Sequence, residues 1–504
     1  MDTLSVALRI GVPIAVVVSI LSVWSLDRPG GRWGRAIRSR FLLGVPWGTL
    51  TVLVLVALFY LVVQGGYEHP TSPLHLPFTS WSYLYPLGMV TAPFAHQSLG
   101  HVTGNLLATL AFAPLAEFAF SHFPRNRGDH AFGSPWTNPF VRAFAVFPGG
   151  AIVVGLLTSI LSWGPIIGFS GVVYAFAGFA LVRFPIGTVV ALIGRNAIGT
   201  LYRVIRDPIV TGSADPSFGG PWWAGIAIQG HVLGFLLGAV LGTVLLSRRQ
   251  ATVRPSAIRL WTGGLLVGTS TTMWAIWWYA DEGYVLYRGA GMLLVVTMGL
   301  VVAGAVRARD IEVGAGITRR DLGIALLVLP IVTMGFVAVP VNAVDVGDTS
   351  PAGPAVTIND YSITYAEEVP NQRVAVIELP GMNNSDRVNA SGVIVTSERR
   401  FIWTEAISAS RLAFAGKQTV VVGGVGWRRS VTAVRRGWTV TGGETAYQVA
   451  LRPENETLTW LFTSSSARAS PTIAGQNVSI RPEDGSFLVT VTRNQSSIDT
   501  AHLP

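Results

Sequence analysis

The chain has 504 residues, of which 50% are hydrophobic and only 12% charged, with a formal net charge of +9. A soluble enzyme usually carries about a quarter charged residues, so most of this chain is expected to lie in lipid. The absence of cysteine excludes a disulfide framework, a thiol nucleophile and any Cys-ligated metal or cluster.

In chain order, apolar runs able or nearly able to cross roughly 30 Å of hydrocarbon lie near 4–25, 41–64, 94–120, 141–162, 168–184, 186–206, 222–247, 258–280, 284–306 and 322–341. They predict a mainly α-helical polytopic membrane protein with about ten spans. Residues 1–344 hold 22 basic and 12 acidic side chains, the remainder 14 and 15. The excess sits in short Arg clusters between apolar runs, which is the positive-inside pattern and offers no basic stripe for nucleic acid.

The first run is followed by Arg28, Arg32, Arg35, Arg38 and Arg40, is hardly preceded by basic residues, and shows no small-residue cleavage site. It reads as an anchor with its N-terminus outside, so 1–40 is an extra transmembrane helix plus an Arg-rich cytoplasmic loop. Counting onward places Arg125, Arg127, Arg183, Arg248, Arg249, Arg254, Arg259, Arg307, Arg309, Arg319 and Arg320 inside. Arg195, Arg203 and Arg206 disagree, since they fall at the outer end of 186–206. If that run did not cross, every later one would invert; the crossing is the reading adopted.

From 345 to 504 the texture changes to short β-branched and aromatic runs, VTINDYSITY, RVAVIEL, GVIVTS, QTVVVGG, LTWLFTS and SFLVTVTR, separated by Gly, Pro, Asn and Ser. This predicts a β-rich soluble domain, extracytoplasmic by the topology count. TEAISASRLAFAG is a candidate helix on its side, PEDGSF a turn, and Ser464–Ser466 a loop. Five N-x-S/T sequons, at Asn383, Asn389, Asn455, Asn477 and Asn494, lie here and none in the membrane half. They fit an exterior location, although Ser/Thr-rich strands also produce sequons by accident. The domain reads either as a docking module for substrates or an exterior partner, or as a structural cap.

Polar side chains inside a span are functional candidates by default. In TAPFAHQSLGHVTGNLLATLAFAPLAEF, His101 and Asn105 share a helix face and His96 lies further out. His231, in WWAGIAIQGHVLGFLLGAVLG, enters from the same side to a similar depth. Ser170, in PIIGFSGVVYAFAG, opens a helix too short for a full bilayer, so its hydroxyl starts below the outer surface at histidine depth. A serine at a helix start is also an ordinary cap. As a nucleophile it needs a base, and neutral imidazole suits. Ser170 and His231 can form that pair, and no carboxylate is spaced to orient His231, so a dyad is inferred. Asn105, His101 and the Ser170 N–H are candidate oxyanion donors. Gly168 and Gly171 allow a tight turn and close backbone approach. Gly234 and Gly238 give the His231 helix a small-xxx-small face, matched by Gly171, Ala175 and Gly178. Tyr174, one turn after Ser170, can lie against the imidazole.

These residues resemble the rhomboid family of intramembrane serine proteases. The likeness rests on H-x4-H-x3-N at His96, His101 and Asn105, G-x-S-G at Gly168 to Gly171, Tyr174, and H-x-x-G-x-x-x-G at His231, Gly234 and Gly238. It implies a six-helix core over 41–250 that cleaves membrane-anchored proteins near the outer face of the cell membrane, with Ser170 as nucleophile, His231 as general base, and no cofactor. It also implies that His101 and Asn105 bind the oxyanion, and it matches Glu117 to a structural acid, where an ordinary acid at the inner end of the span is the other reading. His96 either supports the site or caps the loop. The Trp-Arg pair frequent in the family's first outer loop is missing, Trp81-Ser82 being a poor substitute. The Gly/Pro-rich stretch 207–221 is either a movable cover or a plain surface loop. The family core leaves the first helix, three additional helices in 251–344 and the β domain unexplained. A client-binding relative without activity would normally lack the Ser or the His. A transporter would show paired broken helices in related halves, which are not found. A zinc site at His96, His101 and His231 lacks the usual acid and motif.

Overall fold

Each of the ten apolar runs contains a helix in the computed structural model, which describes residues 3–27, 31–124, 129–210, 219, 221–249, 254–280, 283–309, 311–314, 316–343, 350–372, 389–470, 472, 474–493 and 496–503. The contacts form two compact units, Met1–Asn342 without 218–220 and 279–283, and Ala343–Pro504 with those two stretches.

The first unit is helical. It runs α1 (Thr3–Asp27), α2 (Arg32–Arg40), α3 (Trp47–Leu58, continued by a π turn to Val63), α4 (Pro86–Thr91) and α5 (Leu99–Phe120). Next come α6 (Pro139–Val141), joined through a π turn to α7 (Phe147–Leu161), then α8 (Ser170–Arg183), α9 (Pro185–Arg206), α10 (Ile228–Arg248) and α11 (Ala257–Ser270). A ribbon of β1 (Trp277–Ala280) and β2 (Gly283–Leu286) precedes α12 (Arg288–Arg307). A second ribbon, β3 (Glu312–Gly314) and β4 (Ile317–Thr318), leads into α13 (Arg319–Asn342). Six of these rods, α1, α5, α6–α7, α10, α12 and α13, are long and apolar enough to span a bilayer, and α3 and α8 are shorter apolar helices.

Lipid rather than water is the solvent these helices fit. Val62 is 71% exposed, Leu293 69% and Phe336 80%, and no residue of the α1 span is buried. Apolar faces this extensive do not persist on a soluble monomer. The protein is an integral membrane protein.

Several boundaries differ from the hydropathy reading, each for a local reason. The stretch expected to be a cytoplasmic loop holds the Arg-rich α2. Helix α5 begins only at Leu99, because the Ser98 hydroxyl accepts the His101 N–H at 3.2 Å and caps it there. Helix α10 begins at Ile228 rather than 222, after a turn in which Gly225 takes φ +87°. Helix α11 stops at Ser270, ten residues short of the end of the apolar run; the Thr271 hydroxyl donates to the Val267 carbonyl at 2.7 Å and its backbone turns extended.

Helices α8 and α10 pack backbone to backbone in a constant register. A Cβ on Gly234 would lie 2.0 Å from the Gly171 carbonyl oxygen, one on Gly238 1.9 Å from that of Ala175, and one on Gly242 3.0 Å from that of Phe179. The pairing advances equally along both rods, so they run parallel. The chain between them must therefore return, and α9 does so over 22 residues, roughly 33 Å at about 1.5 Å per residue. Its Ile186, Val190 and Ile193 form an exposed stripe while Thr188 and Leu192 are buried, so its arginines occupy a rod with one apolar side.

The second unit is strand-rich. Three antiparallel four-stranded sheets follow one another in sequence. They comprise β5 (Val356–Ile358), β6 (Tyr361–Pro370), β7 (Asn389–Ser397) and β8 (Ile402–Ser408); then β9 (Lys417–Gly424), β10 (Trp427–Thr439), β11 (Thr445–Pro453) and β12 (Thr459–Thr463); then β13 (Ala467–Arg468), β14 (Asn477–Glu483), β15 (Ser486–Arg493) and β16 (Ser496–Leu503). TEAISASRLAFAG is helical only in its second half: β8 ends at Ser408, whose hydroxyl caps α14 (Ala409–Ala415), and Gly416 closes it at φ +67°. PEDGSF is the β14–β15 turn, with Gly485 at φ +85°. Asn389, Asn455 and Asn477 are exposed. RVAVIEL, Asn383 and Asn494 lie outside the described residues, as does most of 207–221.

Candidate active site

Three helix beginnings converge, those of α5, α8 and α10. Ser170 is the first residue of α8, and its hydroxyl caps nothing. Instead Ser170 Oγ stands 3.0 Å from His231 Nε2, three residues into α10. That pairing is available because Gly171 and Gly234 let the two helix backbones touch just below it. Ser170, His101 and His231 each fall within the first four residues of their helices, which brings them to one level of the bundle.

The imidazole of His231 is held on two sides. The Tyr174 ring stacks on it with centroids 4.4 Å apart and 22° between planes. Its Nδ1 faces the hydroxyl of Thr272, 3.3 Å away, and that hydroxyl is also 3.3 Å from the Tyr174 phenol oxygen. Thr272 follows α11, far from the pair in sequence, and no spacing singles it out.

Opposite Ser170, the backbone turns sharply at Gly168, with φ +119°. A Cβ there would lie 2.7 Å from both Cε1 and Nε2 of His101 and 3.5 Å from Nδ2 of Asn105. Glycine is thus required by conformation and by space, and both side chains face the turn that leads into Ser170. Gly171 is equally confined, since a Cβ would meet Thr158 Cγ2 at 2.8 Å.

His96 is not on the α5 helix. It lies fully buried in the preceding turn, with Nδ1 3.0 Å from the Phe94 carbonyl, to which it donates. Its Nε2 then accepts from Asn105 Nδ2 at 3.0 Å and from the Phe169 N–H at 3.4 Å. One Asn105 amide proton is so committed and the other is left for the space beside Gly168. His96 therefore orients Asn105 and the residue before Ser170. Its ring meets that of His101 edge-on, centroids 4.9 Å apart.

At the opposite end of α5, Glu117 is fully buried. Its Oε1 accepts the Gly48 N–H at 2.7 Å and His122 Nε2 at 2.6 Å, and its Oε2 accepts the Thr49 N–H at 2.8 Å and hydroxyl at 2.7 Å. Because His122 Nδ1 accepts the Leu42 N–H at 2.8 Å, its proton is on Nε2. Glu117 is a structural tie for the start of α3. Trp81 is buried, its indole N–H donating to the Leu76 carbonyl at 2.6 Å, and Ser82 Oγ donates to the Asn342 carbonyl at 3.0 Å. The loop between α3 and α5 is packed by its own tryptophan and by the end of α13.

Ser170, His231, His101 and Asn105 line one cavity of about 670 Å³, together with Arg195 and Trp274. The arrangement offers an alcohol with an adjacent base, a stacked ring fixing that base, and amide and imidazole N–H groups around the glycine turn. Residues 83–248 match the family model of the Rhomboid domain. No curated protein and no solved structure matches the chain.

Proposed function

Because residues 83–248 make this chain a member of the rhomboid family, we propose that it is an intramembrane serine endopeptidase whose Ser170–His231 dyad cleaves membrane-anchored protein substrates near the outer face of the cell membrane. The observation that carries this reading is the 3.0 Å approach of Ser170 Oγ to His231 Nε2 inside a helical membrane unit. Ser170 Oγ attacks the scissile carbonyl carbon as its proton passes to Nε2. The carbonyl π electrons move to oxygen, where the free Asn105 N–H, the His101 ring N–H and the Ser170 main-chain N–H bind the negative charge. On collapse the C–N bond breaks, the imidazolium gives its proton to the leaving amine, and an acyl-Ser170 remains. Water, deprotonated by the same imidazole, then releases the acid and restores the hydroxyl.

Burial in a cavity walled by α5, α8 and α10 supports the reading further, since low dielectric strengthens each of these dipolar contacts. The strand-rich second unit is assigned to the exterior, where it docks substrates or a partner. Cleavage of a panel of single-span substrates in proteoliposomes tests the assignment. Wild type should cleave and take up a fluorophosphonate, and Ser170→Ala should do neither; equal cleavage by both ends it.

A further inference from the structure

We propose that Thr272 is a positioning residue that holds the catalytic imidazole in its working tautomer, so that a segment beyond the rhomboid domain completes the dyad. The inference rests on the protease reading above. For His231 Nε2 to accept the serine proton, the neutral ring must carry its own proton on Nδ1. In a site shielded by helices that Nδ1–H needs an acceptor, and a histidine base is generally oriented by whatever its second nitrogen bonds. The acceptor within reach is Thr272 Oγ1, 3.3 Å from Nδ1.

The hydroxyl is itself fixed. The Tyr174 phenol lies 3.3 Å from the same oxygen, and the oxygen's two lone pairs can take both the imidazole and the phenol protons. Tyr174 thus reaches His231 twice, through ring stacking and through Thr272. The turn carrying Thr272 is rigidly seated. Met273 and Ala275 beside it are fully buried, the Trp274 indole N–H donates to the Thr269 carbonyl at 3.1 Å, and a Cβ on Gly291 of α12 would lie 1.6 Å from the Trp274 carbonyl oxygen. Helices α11 and α12 therefore deliver one oxygen atom to the dyad.

Two substitutions in the full-length protein separate positioning from packing. Thr272→Val keeps the volume and removes the oxygen; Thr272→Ser keeps the oxygen and removes the methyl. Both are read by kcat and KM on a membrane-anchored substrate and by the rate of fluorophosphonate uptake. Positioning predicts a fall of about 10- to 100-fold in kcat and uptake rate for Val, with KM little changed, and recovery to within about threefold of wild type for Ser. A Val variant at or above the wild-type rate, or a Ser variant as impaired as Val, overturns the proposal. If wild type and Ser170→Ala are alike in cleavage, the protease reading itself has failed, which is a different result. Tyr174→Phe leaves the ring stacking and removes the second bond to Thr272, so it should lower kcat by less than Val does; a larger loss also contradicts the assignment.

Discussion

Replacing Gly234 by alanine places a methyl group against a main-chain oxygen at the point where α8 and α10 touch. The new Cβ would meet the Gly171 carbonyl at 2.0 Å, so the helices must part by roughly 1.3 Å to regain an ordinary C–H···O approach of about 3.3 Å. Both partners are helix backbone, and no rotamer change relieves the clash. Spread along the line joining the dyad, that shift carries Ser170 Oγ and His231 Nε2 from 3.0 Å to about 4 Å, outside hydrogen-bond range. Overpacking of this kind costs about 1–3 kcal/mol, and a misplacement of about 1 Å at reacting groups costs about 100-fold in rate. Cleavage kinetics in proteoliposomes and thermal unfolding in detergent should therefore show a rate loss near 100-fold beside a modest drop in midpoint. Gly304→Ala in α12 is the control, because nothing lies within 4 Å of its Cβ position; it should be silent in rate and stabilise by up to about 1 kcal/mol. A Gly234→Ala protein with wild-type rate and midpoint would mean that helix contact does not set the dyad's geometry.

Asn105→Ala should lower kcat about 100-fold with little change in KM, as loss of one oxyanion donor does, while fluorophosphonate still reaches Ser170; an unchanged kcat removes it from the oxyanion site. Glu117→Ala strips the acceptor from the Gly48, Thr49 and His122 donors and should destabilise by about 3–5 kcal/mol, with Glu117→Gln milder, both read as unfolding midpoints; equal midpoints would deny the tie at α3. In the second unit, burial works to raise the Asp360 carboxyl, but the bonds from Arg400 and Ser397 outweigh it and hold it below its ordinary value. Its stabilisation is then present above the unfolded value of about 3.9 and lost as pH falls through the lower folded one. Hydrogen-exchange protection in β6 to β8 of the full-length protein, taken relative to the intrinsic rate at each pH, should fall below about pH 4, and Asp360→Asn should weaken protection at neutral pH and flatten that acid limb. Glu405 behaves oppositely, because burial raises its carboxyl above the ordinary range against one bond from the Ser391 main chain; its folded form binds the proton more tightly, so stability falls as pH rises past the unfolded value, and Glu405→Gln should strengthen protection at neutral pH.

By itself the sequence determined the solvent and singled out the side chains proposed to react. Long apolar runs with arginines between them can only be lipid-facing helices, and the spacings around His101, Ser170 and His231 carry chemistry that a lipid-embedded rod does not hold idly. Even Gly234 and Gly238 declare a close helix contact, because small residues four apart have one use on an apolar face. Only the tertiary structure decided where the helices begin, since hydropathy counts apolar loop residues such as Trp222 and Trp223 as span. It also decided the role of His96, whose two nitrogens are committed by a turn and by Phe169 rather than by helix periodicity. Strand β10 escaped the reading because in WRRSVTAVRR a pair of arginines on each side flanks buried Val431 and Ala433 and masks the β signal. Thr272 is the limiting case. A single hydroxyl outside any motif leaves no trace in composition or period, and it acquires meaning only when α11 and α12 fold back to set it beside an imidazole 41 residues away. Local patterns record what each segment must be; which segments meet is fixed by packing among them, and that information is not local.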